Sequence, residues 1–398
     1  MAEQFLHGVQ VIESQDGVRP IQTVTSSVIG MVGTAPGADP IKFPLNTPVL
    51  IAGSRIEAAA LGDTGTLPSA IDGIFDQTGA MIVVVRVDQN VNPATTISHV
   101  IGGVDAATGQ LQGVQALLGA ESTLGVVPRI LIAPGFTGYV TRGVGGAIEG
   151  APVASKMVGI AKRLRAVVIA DGPNTNDADA IAYRNLFGSE RVYVIDPWVK
   201  VWDTEANAEA IQAPSARVAG LIAKSDNERG FWWSPSNLNI NGIIGVTRAI
   251  DFTLGDPNAR ANYLNENEVA TIIRKDGYRL WGNRTCAADP KWMFLSVRRT
   301  ADMINDSLLR NHMWAVDRNI SKTYVKDVTD GVNAYLRHLT AIGAILGGKC
   351  WADPELNTPT QVAQGKVFFD FDFTPPYPAE NITFRSQMVN DYLEEVFK

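Results

Sequence analysis

The feature that most constrains this chain is a series of short, almost wholly apolar segments between residues 27 and 203. They cover residues 28–32, 49–51, 81–87, 129–133, 166–170 and 191–195. A strand with one wet face alternates apolar with polar residues. These segments do not alternate, so both of their faces must be covered. Helix-like stretches such as 70–77 and 155–164 fall between them. Strand and helix in succession predict an α/β layer with at least part of its sheet buried on both sides.

Two of the segments run into aspartate, as Ile169-Ala170-Asp171-Gly172-Pro173 and Val194-Ile195-Asp196-Pro197. Strand-end carboxylates are where an α/β enzyme holds a metal or a ribose. Asp-Gly-Pro and Asp-Pro are also ordinary strand-ending turns. One functional reading is therefore a cytosolic α/β enzyme that binds a nucleotide or metal at Asp171 or Asp196. Phosphate-binding loops do not support it. Gly30-Met31-Val32-Gly33 lacks the opening of G-x-G-x-x-G, and the run from Gly143 to Ile148 puts isoleucine at the third glycine. The run from Gly343 to Cys350 matches G-x-x-x-x-G-K but ends in cysteine and follows a helix-like stretch, where glycine is the expected cap. His7, His99, His312 and His338 show no metal-ligand spacing, and no G-x-S-x-G appears. No cofactor, catalytic residue or metal ligand is assigned.

At 398 residues the chain exceeds the roughly 250–300 at which a single core stops growing, so two or more domains are expected. A formal net charge of −7 argues against nucleic-acid binding. The first residues carry no secretory signal. The most apolar run, residues 80–87, is far shorter than the ~20 residues that cross a bilayer. The expectation is a soluble chain made in a cytoplasm, without membrane insertion. Its two cysteines, Cys286 and Cys350, are read as buried free thiols.

The second half changes texture. Residues 206–223 read as a helix, and residues 252–262 as a loop at a domain boundary. Ile272 to Cys286 spells IIRKDGYRLWGNRTC. This reads as strand, Asp276-Gly277 turn, strand, with Tyr278 and Leu280 on one face and Arg279 and Trp281 on the other. Residues 293–297 read as a strand. A helix follows over 299–316, with Ile304, Leu308 and Met313 on its apolar side. A second helix carries Val328, Val332, Tyr335, Leu336, Leu339 and Ile342 inward, with Lys326, Asn333 and Arg337 on its polar face. Residues 367–373 alternate as a strand, ended by Pro375-Pro376. Both termini are β-patterned. Phe5, His7, Val9 and Val11 alternate at one end, and Ile382, Phe384, Ser386 and Met388 at the other, before a short amphipathic helix through Phe397. Such segments are either edge strands of their own domain or arms that pair with another subunit.

The string I-R-x-D-G-Y-R-x-W-G-N-R-T within residues 272–285 resembles the contractile tail sheath proteins of myophages and R-type bacteriocins. His7-Gly8-Val9, residues 48–51, 128–135 and 162–166 resemble the opening and outer domain of short sheaths. Residues 314–317, 322–327, 364–367 and 378–381 resemble the C-terminal part. The likeness is collinear over nearly the whole chain, except around residues 38–44.

The resemblance implies a structural protein, not an enzyme. It implies many copies assembled as a helical sheath around a tail tube, in contact with baseplate and tail terminator proteins. The sheath would contract to drive the tube through a host envelope, with energy stored at assembly. The implied fold is an outer α/β domain plus an inner C-terminal α+β domain, with extended N- and C-terminal β arms. The expected divisions are 1–25 for the N-terminal arm and linker, 26–250 for the outer domain, 251–376 for the inner domain and 377–398 for the C-terminal arm. Phe5, His7, Val9, Val11, Ile382, Phe384 and Met388 would form the inter-subunit strands, with hinges at Pro20 and at residues 375–378. Lys322, Lys326 and Arg337 are the candidate tube-facing residues, an ordinary solvated face being the alternative.

Overall fold

The computed structural model describes residues 20–204 and 206–397. The apolar segments become strands β1 (Ile29–Thr34), β2 (Pro48–Ala52), β3 (Met81–Val87), β4 (Ile130–Ile132), β5 (Val167–Asp171) and β6 (Val192–Ile195). The hairpin read from Asp276-Gly277 supplies β7 (Val269–Arg274) and β8 (Tyr278–Trp281). All eight form one sheet in the order β8-β7-β6-β5-β4-β1-β3-β2. The six inner strands are parallel, and β2 and β8 close the edges antiparallel.

The two-residue period divides the sheet's apolar side chains between two cores. Ile29, Met31, Ile82, Val84, Ile130, Ile132, Val167, Ile169, Tyr193 and Ile195 enter one core. Val32, Val83, Val85, Leu131, Val168, Ala170, Val192 and Val194 enter the other. Helices α1 (Leu67–Phe75), α2 (Pro152–Leu164) and α3 (Ser215–Arg229) cover them, α1 and α3 on the first face and α2 on the second. The buried residues of α2 are Val153, Ala154, Met157, Ile160 and Ala161, a helical stripe that begins beside Pro152 in the first turn.

Three expectations are corrected. The helix expected over 206–223 is a strand, Ala208–Gln212, followed by α3, because Pro214 interrupts the run and the alternating residues pair with Val199–Asp203. The strand expected over 293–297 is replaced by the start of α4 (Leu295–Asn311), whose buried Val297, Ala301 and Ile304 follow helical spacing. Met313 lies beyond the end of α4 and is exposed. The large sheet takes in strands on both sides of residue 250, since β7 pairs in parallel with β6 through Val269 and Val194.

Beyond the sheet, α4, α5 (Lys322–Ala341) and an antiparallel ribbon of β9 (Gly347–Ala352) and β10 (Phe369–Thr374) enclose a third core around Met303, Ile304, Tyr335, Leu336 and Leu339. The glycines after α5 serve as its cap. Gly343 has φ of 79°, and strand β9, not a phosphate-cradling helix, comes next.

The packing of β1 is testable at Gly30. A Cβ there would lie 2.8 Å from the Pro128 ring carbon and 3.0 Å from Leu131. Gly30→Ala should destabilise the chain by about 1–3 kcal/mol, read as a lower urea midpoint at unchanged slope.

Candidate functional site

The strand-end aspartates are structural. Asp171 is fully buried and accepts hydrogen bonds from Ser215 N (2.8 Å), Ser215 Oγ (2.9 Å), Thr137 Oγ1 (2.9 Å) and Gly135 N (3.3 Å). Burial pushes its carboxyl up to about 6 despite these donors. Asp196 is held by the Arg248 guanidinium and by Asn174 N at 2.9 Å. Burial raises its pKa and Arg248 opposes the shift. Both carboxylates are thus turned onto protein donors. Among the described residues no group of three or more His, Cys, Asp or Glu is arranged to hold a metal ion.

A pocket of about 210 Å³ lies at the carboxyl edge of the sheet, lined by Thr66, Ser69, Gly135, Trp198 and Arg217. It is smaller than the roughly 300–1,000 Å³ of a small-molecule site. Its one guanidinium, Arg217, already donates to Gln212 Oε1 at 2.6 Å and sits 3.5 Å from Asp76.

Charge is instead concentrated where the C-terminal helices meet the sheet. Arg129 precedes β4 and Arg191 precedes β6, so both stand at the amino edge. Helix α4 presents Asp302 and Asp306 one turn apart on the facing side. Arg191 grips Asp302 through two bonds of 2.7 and 2.8 Å, and Arg298 adds a third of 2.8 Å. Arg129 pairs with Asp306, which Arg310 also approaches at 3.3 Å. Arg299 pairs with Asp226 of α3, one of its bonds being 2.7 Å. The side chains of Arg129 and Arg299 are 3% and 4% exposed. Hydrophobic periodicity found α4 but places charges outward, so this network was missed. The available signal was the spacing of Arg298 and Arg299 ahead of Asp302 and Asp306 in a helix of otherwise modest apolar content.

The candidate tube-facing residues lie on α5. Ser321 caps the helix through Tyr324 N, and Val328, Val332, Tyr335, Leu336 and Leu339 face the third core. Lys322, Lys326 and Arg337 are exposed along one stripe. The first and last are fifteen positions apart, or roughly 22 Å of helix. None has an ion-pair partner among the described residues. Asn333, expected on the same polar face, is a correction, because it does not share their solvated surroundings. It is half-buried, donating to Cys350 O (2.9 Å) and accepting from Cys350 N (2.8 Å), and so joins α5 to β9.

The described residues nearest both ends of the chain lie against or follow this C-terminal unit. Phe5, His7, Val9 and Val11 lie outside the described residues. The linker behind them is fastened to α4 and α5. Gln22 exchanges two hydrogen bonds with Asn311, Val24 N donates to Ser307 Oγ, and Thr23 Oγ1 meets Tyr335 Oη at 3.0 Å. At the other end, residues 381–390 are all exposed and form no strand, Phe384 and Met388 being 92% and 95% exposed. A short 3-10 helix, Asp391–Phe397, follows. The β pattern of Ile382, Phe384 and Met388 therefore has no ladder partner among the described residues. The ribbon of β9 and β10 contains two strands only, so each has an edge unpaired by any described strand.

Comparison with known proteins gives the chain a family. The description "phage tail sheath protein central domain" matches residues 109–286, and "phage tail sheath C-terminal domain" matches residues 287–389. The N-terminal region of domain III of the tail sheath protein Gp18 matches residues 26–87. The chain is 45% identical to a prophage major tail sheath protein of Pseudomonas aeruginosa strain UCBPP-PA14, over 98% of both chains. It is 38% identical to the tail sheath protein of Escherichia phage P2, over 98% of this chain and 97% of that one. The chain belongs to the phage tail sheath protein family. It is a structural sheath subunit and not an enzyme.

Its fold is shared by the contracted helical sheath of the anti-feeding prophage, with a TM-score of 0.72 at 20% identity over 97% of this chain and 100% of that chain. The contracted sheath of the extracellular contractile injection system PVC gives 0.70 at 17% identity, over 99% and 100%.

The junction is testable at Asp302. Asp302→Ala leaves two guanidiniums facing a buried gap and should cost about 3–5 kcal/mol. A urea midpoint matching the parent's would show that the pairs do not hold the C-terminal unit to the sheet.

Proposed function

We propose that this chain polymerises as a helical sheath around a tail tube, in a phage tail or tail-like bacteriocin, and contracts to drive the tube through a host envelope. The driving free energy is stored at assembly. The observation that carries the reading is the pairing of two features within one subunit. An exposed, β-patterned tail has no strand partner among the described residues, and a ribbon of two six-residue strands has edges that no described strand covers. An unpaired strand edge is a template for a strand from another chain. Terminal arms that add strands to neighbouring ribbons join subunits by directional backbone bonds. Free chain between the body and the added strand lets rigid bodies turn without letting go.

In this reading the unit of α4, α5 and the ribbon lies inside, next to the tube. The α/β body lies outside, and the terminal residues on both sides are the arms, with Phe5, His7, Val9 and Val11 in one and Ile382, Phe384 and Met388 in the other. The stripe of Lys322, Lys326 and Arg337 meets acidic groups of the tube. Screened surface pairs hold a tube weakly enough to release it. Baseplate and tail terminator proteins bound the two ends, and assembly takes place in the host cytoplasm.

Two outcomes test this. The full chain should form hollow tubes in negative-stain microscopy, and a truncation lacking residues before 20 and after 380 should stay monomeric. Tubes from both would remove the arms from the mechanism. Reversing Lys322, Lys326 and Arg337 to glutamate should leave the stability of the subunit within about 0.5 kcal/mol. It should also shorten or abolish sheath on purified tubes, and sheath of normal length would remove these residues from the tube contact.

A further inference from the structure

We propose that Arg284 is a positioning residue that aims the C-terminal arm. Its two-pronged grip on Glu380 fastens the arm's root to the junction of sheet and C-terminal unit, so the arm pivots after Glu380. The inference rests on the reading of the residues beyond 380 as an inter-subunit arm, and it moves the pivot away from the prolines at 375–378.

The chain leaves β10 through Pro375, which is buried, and Pro376. The rings of Pro375, Pro376 and Pro378 fix φ and make this stub stiff. Tyr377 packs edge-on against Phe294, with ring centroids 6.3 Å apart at 71°. Arg284 then takes both carboxylate oxygens of Glu380, Nε to Oε1 at 2.8 Å and a terminal nitrogen to Oε2 at 2.6 Å. A forked guanidinium sets direction as well as distance, which a lysine ammonium does not.

The anchor is itself fixed. Arg284 forms an antiparallel bridge with Phe294. Thr285 N donates to Met293 O at 2.7 Å and Leu295 N to Asn283 O at 2.9 Å. The loop after β8 is thereby laced to the lead into α4. Two of the stretches that resemble sheath proteins, residues 272–285 and 378–381, meet at this contact. Beyond it every residue from 381 to 390 is exposed. The stub is held at both ends, by β10 and by Arg284, and the free segment starts at Asn381. An arm that must reach another subunit's ribbon binds in proportion to the fraction of time it points there. Holding the root raises that fraction without any contact to the partner.

The test places a nitroxide on a cysteine introduced at Ala379 or Ser386 of the full-length chain, kept dilute and unassembled. Cys286 and Cys350 are buried and leave the new site distinct. The label at 379 should be immobile and that at 386 mobile. Arg284→Gln should raise the mobile population at 379 about fivefold, the weight of one good exposed pair. The charge swap Arg284→Glu with Glu380→Arg should restore it, and Arg284→Lys only in part. Equal mobility at 379 and 386 in the parent, or no response to Arg284→Gln, overturns the clamp.

Tube assembly by the same variants tests the aim. Arg284→Gln should assemble more slowly and the swap should recover, whereas equal rates overturn the aiming role even with the clamp intact. Truncation after Glu380 separates the two ideas. Normal tubes from it would end the arm reading and leave the label result standing.

Discussion

The structure depends on a charged seam. Arg129 and Arg191 at the amino edge of the sheet, and Asp302 and Asp306 on α4, join two units that have separate apolar cores. Taking these groups out of water is costly, and apolar contacts of equal volume stabilise as well or better. What the pairs add is a single docking geometry. A greasy helix can slide along a sheet edge, but α4 cannot move by a turn without parting Asp302 from Arg191 and Asp306 from Arg129. Arg299 extends the seam to Asp226 of α3 and to the Ser26 carbonyl of the linker. The α/β body, the C-terminal unit and the N-terminal linker are therefore set in one arrangement. Both arm roots inherit fixed positions from it.

That rigidity suits a sheath subunit. The strand-end carboxylates accept hydrogen bonds from the protein's own groups, and the pocket's guanidinium, Arg217, is held by Gln212 and Asp76. The features that point outward are of another kind: an open-edged ribbon, an unpartnered tail and a cationic stripe on α5. In the proposed assembly each attaches to another chain. If the body does not deform, the motion of contraction falls on the arms. Their roots then matter as much as their strands. The stiff proline stub closed by Arg284 and Glu380 is a means of setting where that motion begins.

Much of this was legible in the residues themselves. The parallel strands stood out because sheets covered on both faces require unbroken apolar runs, and β1 and β3 to β6 lie within a residue or two of those runs. The β7–β8 hairpin was readable because Asp276 and Gly277 tolerate the φ of 51° and 106° that the turn adopts. The errors share a cause, namely partners that a segment's own periodicity does not reveal. Ala208–Gln212 is a strand because the nearby Val199–Asp203 pairs with it, and residues 295–297 are helical because Leu295 and Val297 are buried as part of α4. The charged seam was hidden for a related reason. Periodicity treats arginine and aspartate as solvent-facing, and their burial follows from each other's presence 111 residues apart, as in Arg191 and Asp302. Likewise, Asn333 reads as polar surface until Cys350 is placed opposite it.

The central claim is that a rigid two-unit body is linked to its neighbours by terminal arms. Cryo-electron microscopy of assembled tubes tests it most directly. The account predicts strands from the termini of other copies, including Ile382 to Met388, laid against the free edges of Gly347–Ala352 and Phe369–Thr374. It also predicts the Arg191–Asp302 contact intact in every subunit. Ribbon edges without added strands, or a body that opens at the charged seam, would contradict it.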